Sequence, residues 1–300
     1  MPTPFKAPSP LAVSISARIQ ARKIRELAQK QLFDENKDFH ETVRMKLDGR
    51  LESNQFFNFS RCGNEQIFRT CESCRAVEKF DYRCSLKWCP RCQWWLAERR
   101  KKVLQVWAVR IAQPKHLVLT QRNFPILTRS KIREHQRNLA RIRKARCFEK
   151  VKGGCVSVEI TNEDNGWHLH SHWLLDVRWL NMEQVSQAWG ALVGQEFAIV
   201  KVKDVRETDY LKEVSKYVCE GSEIASWPAE HILEFVTAIR GRRFFFSFGT
   251  LFKAGASIRA ELAAQKPEVQ PCECGCSEFI YESEIDAVLN EVRKMSKKKR

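Results

Sequence analysis

The sequence predicts an α+β fold, an antiparallel sheet with packed helices, plus an N-terminal zinc-knuckle appendage. Three observations predict it. Stretches that alternate in polarity or are rich in β-branched residues, KHLVLTQ (115–121), CVSVEIT (155–161), WHLHSHWLLD (167–176) and residues 197–205, are interleaved with segments of helical period. The turn-forming NEDNG at 162–166 joins the second of these to the third as a hairpin, which makes that pair antiparallel. Ahead of all four strands, Cys71-x2-Cys74 and Cys89-x2-Cys92 have the spacing of two knuckles that together close a tetrahedral zinc site.

With 300 residues, 43% of them hydrophobic, the chain can bury a substantial core. A net charge of +16 calls for a polyanionic partner, either nucleic acid or an anionic membrane surface. No run of 18 apolar residues is present and the first twenty residues lack an apolar signal core, so a cytoplasmic protein is expected rather than a spanning or secreted one. In that compartment twelve cysteines read as metal ligands rather than a disulfide framework.

In chain order, Pro2, Pro4, Pro8 and Pro10 mark a flexible leader, and residues 14–32 form a basic amphipathic helix; together with the patternless 33–60 they make a first region, 1–60. Region 61–100 is the zinc knuckle, with Cys71, Cys74, Cys89 and Cys92 as the expected zinc ligands and Cys84 as an alternative partner for Cys89 and Cys92. Its cations Arg83, Lys87 and Arg91 are expected DNA contacts.

The main domain, 101–255, follows a helix over 93–111. Between residues 131 and 152 nine lysines and arginines stand against Glu134 and Glu149, a local excess of seven, which marks Arg141, Arg143 and Lys144 as a phosphate-tracking surface. Further helices are expected at 181–192, 209–219 and 231–239. In GRRFFFSFGTLFK (241–253) Arg242 and Arg243 sit beside five phenylalanines, which either stack bases or form an apolar strand over the core. The last region, 256–300, is an acidic accessory segment in which Cys272, Cys274 and Cys276 have no obvious fourth ligand, ending in the basic Lys297–Arg300.

The histidines carry the chemistry. On a strand, His168, His170 and His172 point to one face, and converging imidazoles suit a divalent metal. Only four tyrosines exist, Tyr82, Tyr210, Tyr217 and Tyr281, and Glu213 precedes Tyr217 by four residues, one helical turn on the same face.

Taken in order, RCSLKWCPRCQWW (83–95), HLVLT (116–120), HLHSHWLL (168–175) and EVSKY (213–217), with a fainter echo in GRRFFFSFGTLFK, resemble the HUH endonucleases, and among them the rolling-circle replication initiators of small bacterial plasmids. The resemblance covers about residues 83–253. It implies an RNA-recognition-motif-like sheet, a catalytic Mg²⁺ or Mn²⁺ on His170 and His172 with His168 as third ligand or neighbour, and Tyr217 as nucleophile. Tyr217 would join the 5′ end of a nicked strand and leave a 3′-OH primer, with Glu213 as general base for the later release.

Many relatives carry a lysine three residues beyond the tyrosine, where this chain has Glu220, and Lys216 stands on the near side. Tyr210 leaves a two-tyrosine mechanism open. The implied partners are double-stranded origin DNA, single-stranded DNA at the nick site, and a host helicase and polymerase. Two other functions fit the same features: a rolling-circle-type transposase, and a non-catalytic zinc-ribbon nucleic-acid-binding protein.

Overall fold

A computed structural model of the chain describes residues 30–31, 33–50, 53–111, 114–163, 165–196, 198–205, 211, 214–215, 219–264, 272–276 and 278–283. The leader, most of the 14–32 helix and the basic tail lie outside them, as do Tyr210, Glu213, Lys216 and Tyr217.

Two sheets organise the rest, and the fold is α+β as predicted. The larger has five strands in the order β6-β3-β5-β4-β7, namely β3 (Pro114–Thr120), β4 (Gly153–Glu163), β5 (Gly166–Asp176), β6 (Val200–Asp204) and β7 (Phe245–Phe248), every neighbouring pair antiparallel. The β4–β5 hairpin closes between Glu163 and Gly166. Gly166 has φ 90° and lies against the Phe124 carbonyl, where a Cβ would collide.

Alternation along these strands sorts their side chains onto two faces. Leu117, Leu119, Val156, Val158, Ile160, Trp167, Leu169, Trp173 and Leu175 point to one face and are buried. There they meet α4 (Arg129–Ile142) through Ile132, Leu139 and Ile142, α5 (Met182–Val193) through Val185 and Trp189, and α7 (Ala229–Ile239) through Ile232, Phe235 and Ile239. Each such side chain contributes about 1.5–3 kcal/mol when fully buried. Thr128 caps α4 by accepting from the Lys131 N–H at 3.2 Å, and Asn181 caps α5 through Gln184 N–H at 3.1 Å.

The other face is apolar at one end only. There Leu174 and Cys155 pack with Leu104 and Trp107 of α3 (Gln93–Ala108) and Leu251 and Ile258 of α8 (Gly249–Ala264). Leu211 and Val214, both helical, complete this second core, and the neighbouring Ser215 is helical and buried. GRRFFFSFGTLFK becomes β7 followed by the start of α8, so the apolar-strand alternative holds for its phenylalanines at 245, 246 and 248.

The stretch 33–60, featureless as sequence, holds α1 (Lys37–Leu47) and α2 (Ser53–Arg61). Phe33, Val43, Leu47 and Phe59 join the main core, and Lys46 donates to the carbonyls of Ala225, in α6 (Gly221–Ser226), at 2.6 Å and Trp227 at 2.8 Å.

The smaller sheet has the order β2-β1-β8: β1 (Gln66–Cys71), β2 (Val77–Asp81) and β8 (Phe279–Ser283), with β8 antiparallel to β1. Segments that the sequence divides between a knuckle region and a separate C-terminal accessory region are thus one sheet. No helix among the described residues is long and apolar enough to cross a membrane.

Candidate metal and nucleic-acid site

The polar end of the second face is built by register. Antiparallel pairing sets Glu159 opposite His170, Ser157 opposite His172 and Thr161 opposite His168, while Thr120 and Val118 of β3 flank His170 and His172 on the other side. Paired residues share a face, so the carboxylate of Glu159 is delivered to the imidazoles. His170 Nε2 lies 2.8 Å and His172 Nε2 3.2 Å from the same oxygen, Glu159 Oε2. One ligand atom from each of the three residues lies within 4.8 Å of the others, so Glu159, His170 and His172 could hold a metal ion.

The Nδ1 atoms of both histidines are buried without a hydrogen-bond partner. Both imidazoles therefore turn their Nε2 inward to the point they share with the carboxylate. His168 stays outside this group. Its ring centroid is 5.2 Å from that of His170, and burial, followed by the charge of His170, holds its pKa below the ordinary histidine value. Glu159, not His168, completes the group of three that could hold an ion.

From sequence Glu159 is a further oxygen donor on the preceding strand without a fixed position, and the hairpin register supplies that position by pairing 159 with 170. Other imidazoles surround the group. His116 stacks on His172 with centroids 5.6 Å apart, and His135, which meets Gln121 Oε1 at 3.0 Å, is pushed down to about 3 by burial and then by His170 and His168.

Two charged groups that sequence reasoning missed border this face. Phe245 pairs with Ser157, which pairs with His172, and the guanidinium of Arg100 on α3 lies 5.4 Å from the Phe245 ring. At the other edge Glu223 of α6 accepts from the Asn162 N–H at 3.1 Å; burial, with a contribution from Glu159, raises it to about 7.

The cysteines do not form the predicted tetrad. Cys71 and Cys74 are in one cluster and Cys89 and Cys92 in another, because the β1–β2 hairpin carries the first pair to its tip and leaves the second at its base, ahead of α3. Cys62, at the end of α2, and Cys84 join Cys89 and Cys92, with sulfurs 3.4 Å apart for Cys62–Cys92, 3.7 Å for Cys62–Cys89 and 3.8 Å for Cys84–Cys92. Hydrogen bonds from Cys62, Cys84 and Cys89 hold the Cys92 thiol far down, while burial pushes Cys89 up. Cys71 and Cys74 instead meet Cys272 and Cys274. The alternative with Cys84 beside Cys89 and Cys92 is the better match for the first cluster, and Cys62 is the ligand no spacing rule suggested.

This first cluster is tied to the chain just beyond EVSKY. Gln93, adjacent to Cys92 and buried, is placed for its amide to donate to Cys219 O at 2.5 Å and accept from Gly221 N–H at 2.6 Å.

The expected DNA-contacting cations divide. Arg91 is 3% exposed, with its guanidinium 3.8 Å from the Phe33 ring centroid and 3.5 Å from Asp34, so it packs the interior and is not available to DNA. Arg83 stacks over Phe33 and Trp94, and Lys87 is half-buried and donates to the Arg242 carbonyl. Arg141, Arg143, Lys144 and Arg243 are exposed, and Arg242 is partly so.

Residues 78–272, about two-thirds of the chain, match the family model described as "Replication protein". No curated protein and no solved structure matches the chain.

Proposed function

This chain belongs to the replication-protein family, and on that premise we propose that it initiates rolling-circle replication by nicking one DNA strand through Tyr217. The observation that carries this reading is the convergence of Glu159, His170 and His172 on a polar patch beside the second core, into which Val214 of EVSKY is packed.

A divalent ion held by those three residues, Mg²⁺ or Mn²⁺, supplies a Lewis acid for a phosphate oxygen. The chain's own residues do the rest. The Tyr217 hydroxyl gives up its proton and its oxygen attacks phosphorus; the bond to the 3′ oxygen breaks, that oxygen is protonated, and the 5′ phosphate stays on tyrosine. Glu213, four residues earlier in the sequence, takes the proton of the group that later resolves the linkage. Arg100, beside Phe245, adds positive charge at the edge of this face. The exposed Arg141, Arg143, Lys144 and Arg243 are proposed to track phosphates, and Lys216 to do so nearer the nucleophile. The Cys62, Cys84, Cys89 and Cys92 cluster is proposed to hold structural Zn²⁺.

Origin duplex and nick-site single strand are the proposed partners, with a host helicase and polymerase acting on the 3′-OH. The test incubates the full chain with a labelled single-stranded origin oligonucleotide and Mn²⁺ or Mg²⁺ and looks for a denaturant-resistant adduct. Adduct that requires metal and vanishes in Tyr217→Phe is expected. Binding without any metal-dependent adduct overturns the reading, and adduct lost in Tyr210→Phe instead moves the nucleophile.

A further inference from the structure

We propose that Cys71, Cys74, Cys272 and Cys274 form a second zinc centre, distinct from the Cys62, Cys84, Cys89 and Cys92 cluster, and that this centre holds β8 onto the β1–β2 hairpin.

The first support is geometric. Sulfurs meet across the two segments at 3.3 Å for Cys74–Cys272 and 3.6 Å for Cys71–Cys274. Four thiolates at zinc–sulfur bonds of about 2.3 Å stand about 3.8 Å from one another in a tetrahedron, whereas a disulfide needs about 2 Å. The four ligand atoms all lie within 4.8 Å of one another.

The backbone supplies the second support. Each pair sits in a tight turn whose next residue has a left-handed conformation, Arg75 at φ 62° and Gly275 at φ 88°. The Arg75 N–H reaches the Cys71 carbonyl at 3.0 Å and the Gly275 N–H reaches the Cys272 carbonyl at 2.7 Å. In the first turn the sulfur of Cys71 accepts from the N–H groups of Cys74 and Ser73, and that of Cys74 from Ala76. A five-residue turn and a four-residue turn, each ending in a left-handed residue, therefore present their sulfurs to each other.

Energetics supplies the third. No residue of β1, β2 or β8 belongs to either hydrophobic core, and Val77 and Ile280, which flank Thr70 on one face of this sheet, are 56% and 48% exposed. Arg69 lies buried between the rings of Phe80 and Phe279 and pairs with Glu78, which covers little apolar area. A three-stranded sheet without a core needs another source of stability, and metal binding that exists only in the folded state supplies folding free energy directly. Binding releases the thiol protons and leaves a site of net charge −2, and Arg75 directly follows Cys74 in the chain. Cys71, Cys74 and Cys274 fall outside the segment matched by the family model, and Cys272 is its last residue.

The test counts metal in the full chain carrying His170→Ala and His172→Ala, which removes the histidine group from the count. Elemental analysis is expected to give two zinc ions per chain, falling to one when Cys272→Ser and Cys274→Ser are added and likewise to one with Cys62→Ser and Cys89→Ser instead. One zinc in the parent, unchanged by Cys272→Ser and Cys274→Ser, overturns the proposal, and so does retention of two. Should the serine variants fail to fold, cobalt titration of the otherwise unsubstituted parent decides. Two equal increments of the visible absorption of tetrahedral thiolate cobalt are expected, and a single increment overturns the second centre.

Discussion

The two faces of the five-stranded sheet are made by the same strands and do opposite work. One is closed from end to end by Trp167, Trp173, Leu169 and their partners on α4, α5 and α7. On the other, Leu174 and Cys155 meet α3 and α8 in a smaller apolar core, and beyond them it carries His172, His170 and Glu159. Neighbouring residues on β5 thus serve different ends: Trp173 is fully buried in the main core, and His172 beside it points at a carboxylate. Stability is placed on one face so that the other can bury imidazoles and a carboxylate together, groups that are costly to bury unless they satisfy one another.

The largest expected effect comes from deleting the chemistry without touching the closed face. His172→Ala should lower metal-dependent adduct formation by about three orders of magnitude or more, while its melting temperature moves far less than that of Trp173→Ala. Trp173→Ala is the converse, with an expected loss of about 3–5 kcal/mol in urea unfolding from the cavity it leaves. Adduct yield per folded molecule should stay near that of the parent. If Trp173→Ala cost as much cleavage per folded molecule as His172→Ala, the division of labour between the faces would be wrong.

A smaller effect lies at the edge where the faces meet. Glu223 is raised from 4.5 to about 7, so between those values the folded chain keeps a proton that the unfolded chain has released. Stability from this group therefore declines as pH rises from about 4.5 to about 7. Glu223→Gln should flatten that part of the urea midpoint-against-pH curve; an unchanged slope would remove Glu223 from the account. The smallest change is expected from Lys144→Ala, on the exposed surface away from both faces. It should weaken single-strand binding at low salt and reduce the slope of log K against log salt by about one, with cleavage of bound DNA unaltered.

Much of this was legible in the chain, and the parts that were not share a cause. Alternation in CVSVEIT and WHLHSHWLLD identified the hairpin and placed His170 and His172 on one face, because strand period is a local property. Glu159 required the register between strands, which NEDNG sets but alternation does not reveal. For the cysteines, local spacing points to one set of neighbours and the fold brings together another. Cys71 and Cys74 look like partners of the next CxxC, yet the hairpin carries them away from it and towards Cys272 and Cys274. The charge of Arg91 points to a DNA contact, whereas Phe33 and Asp34, from a stretch with no readable pattern, enclose it. Helices α1 and α2 went unseen for the same reason, since their order comes from packing on α6, α7 and the knuckle rather than from a strong period of their own.

The connectivity of the small sheet also sets when it can exist. Its hairpin lies inside the loop that Cys62 and Cys92 close, but its third strand follows every strand of the large sheet in the chain. During synthesis from the N-terminus, domains form as their residues emerge, so the five-stranded sheet has all its strands before Cys272 and Cys274 leave the ribosome. The hairpin must wait, with Cys71 and Cys74 unpartnered, until nearly the last part of the chain arrives. Completion of this sheet therefore marks a chain that has been translated through its five-stranded sheet, and one truncated before residue 272 leaves β1 with an open edge.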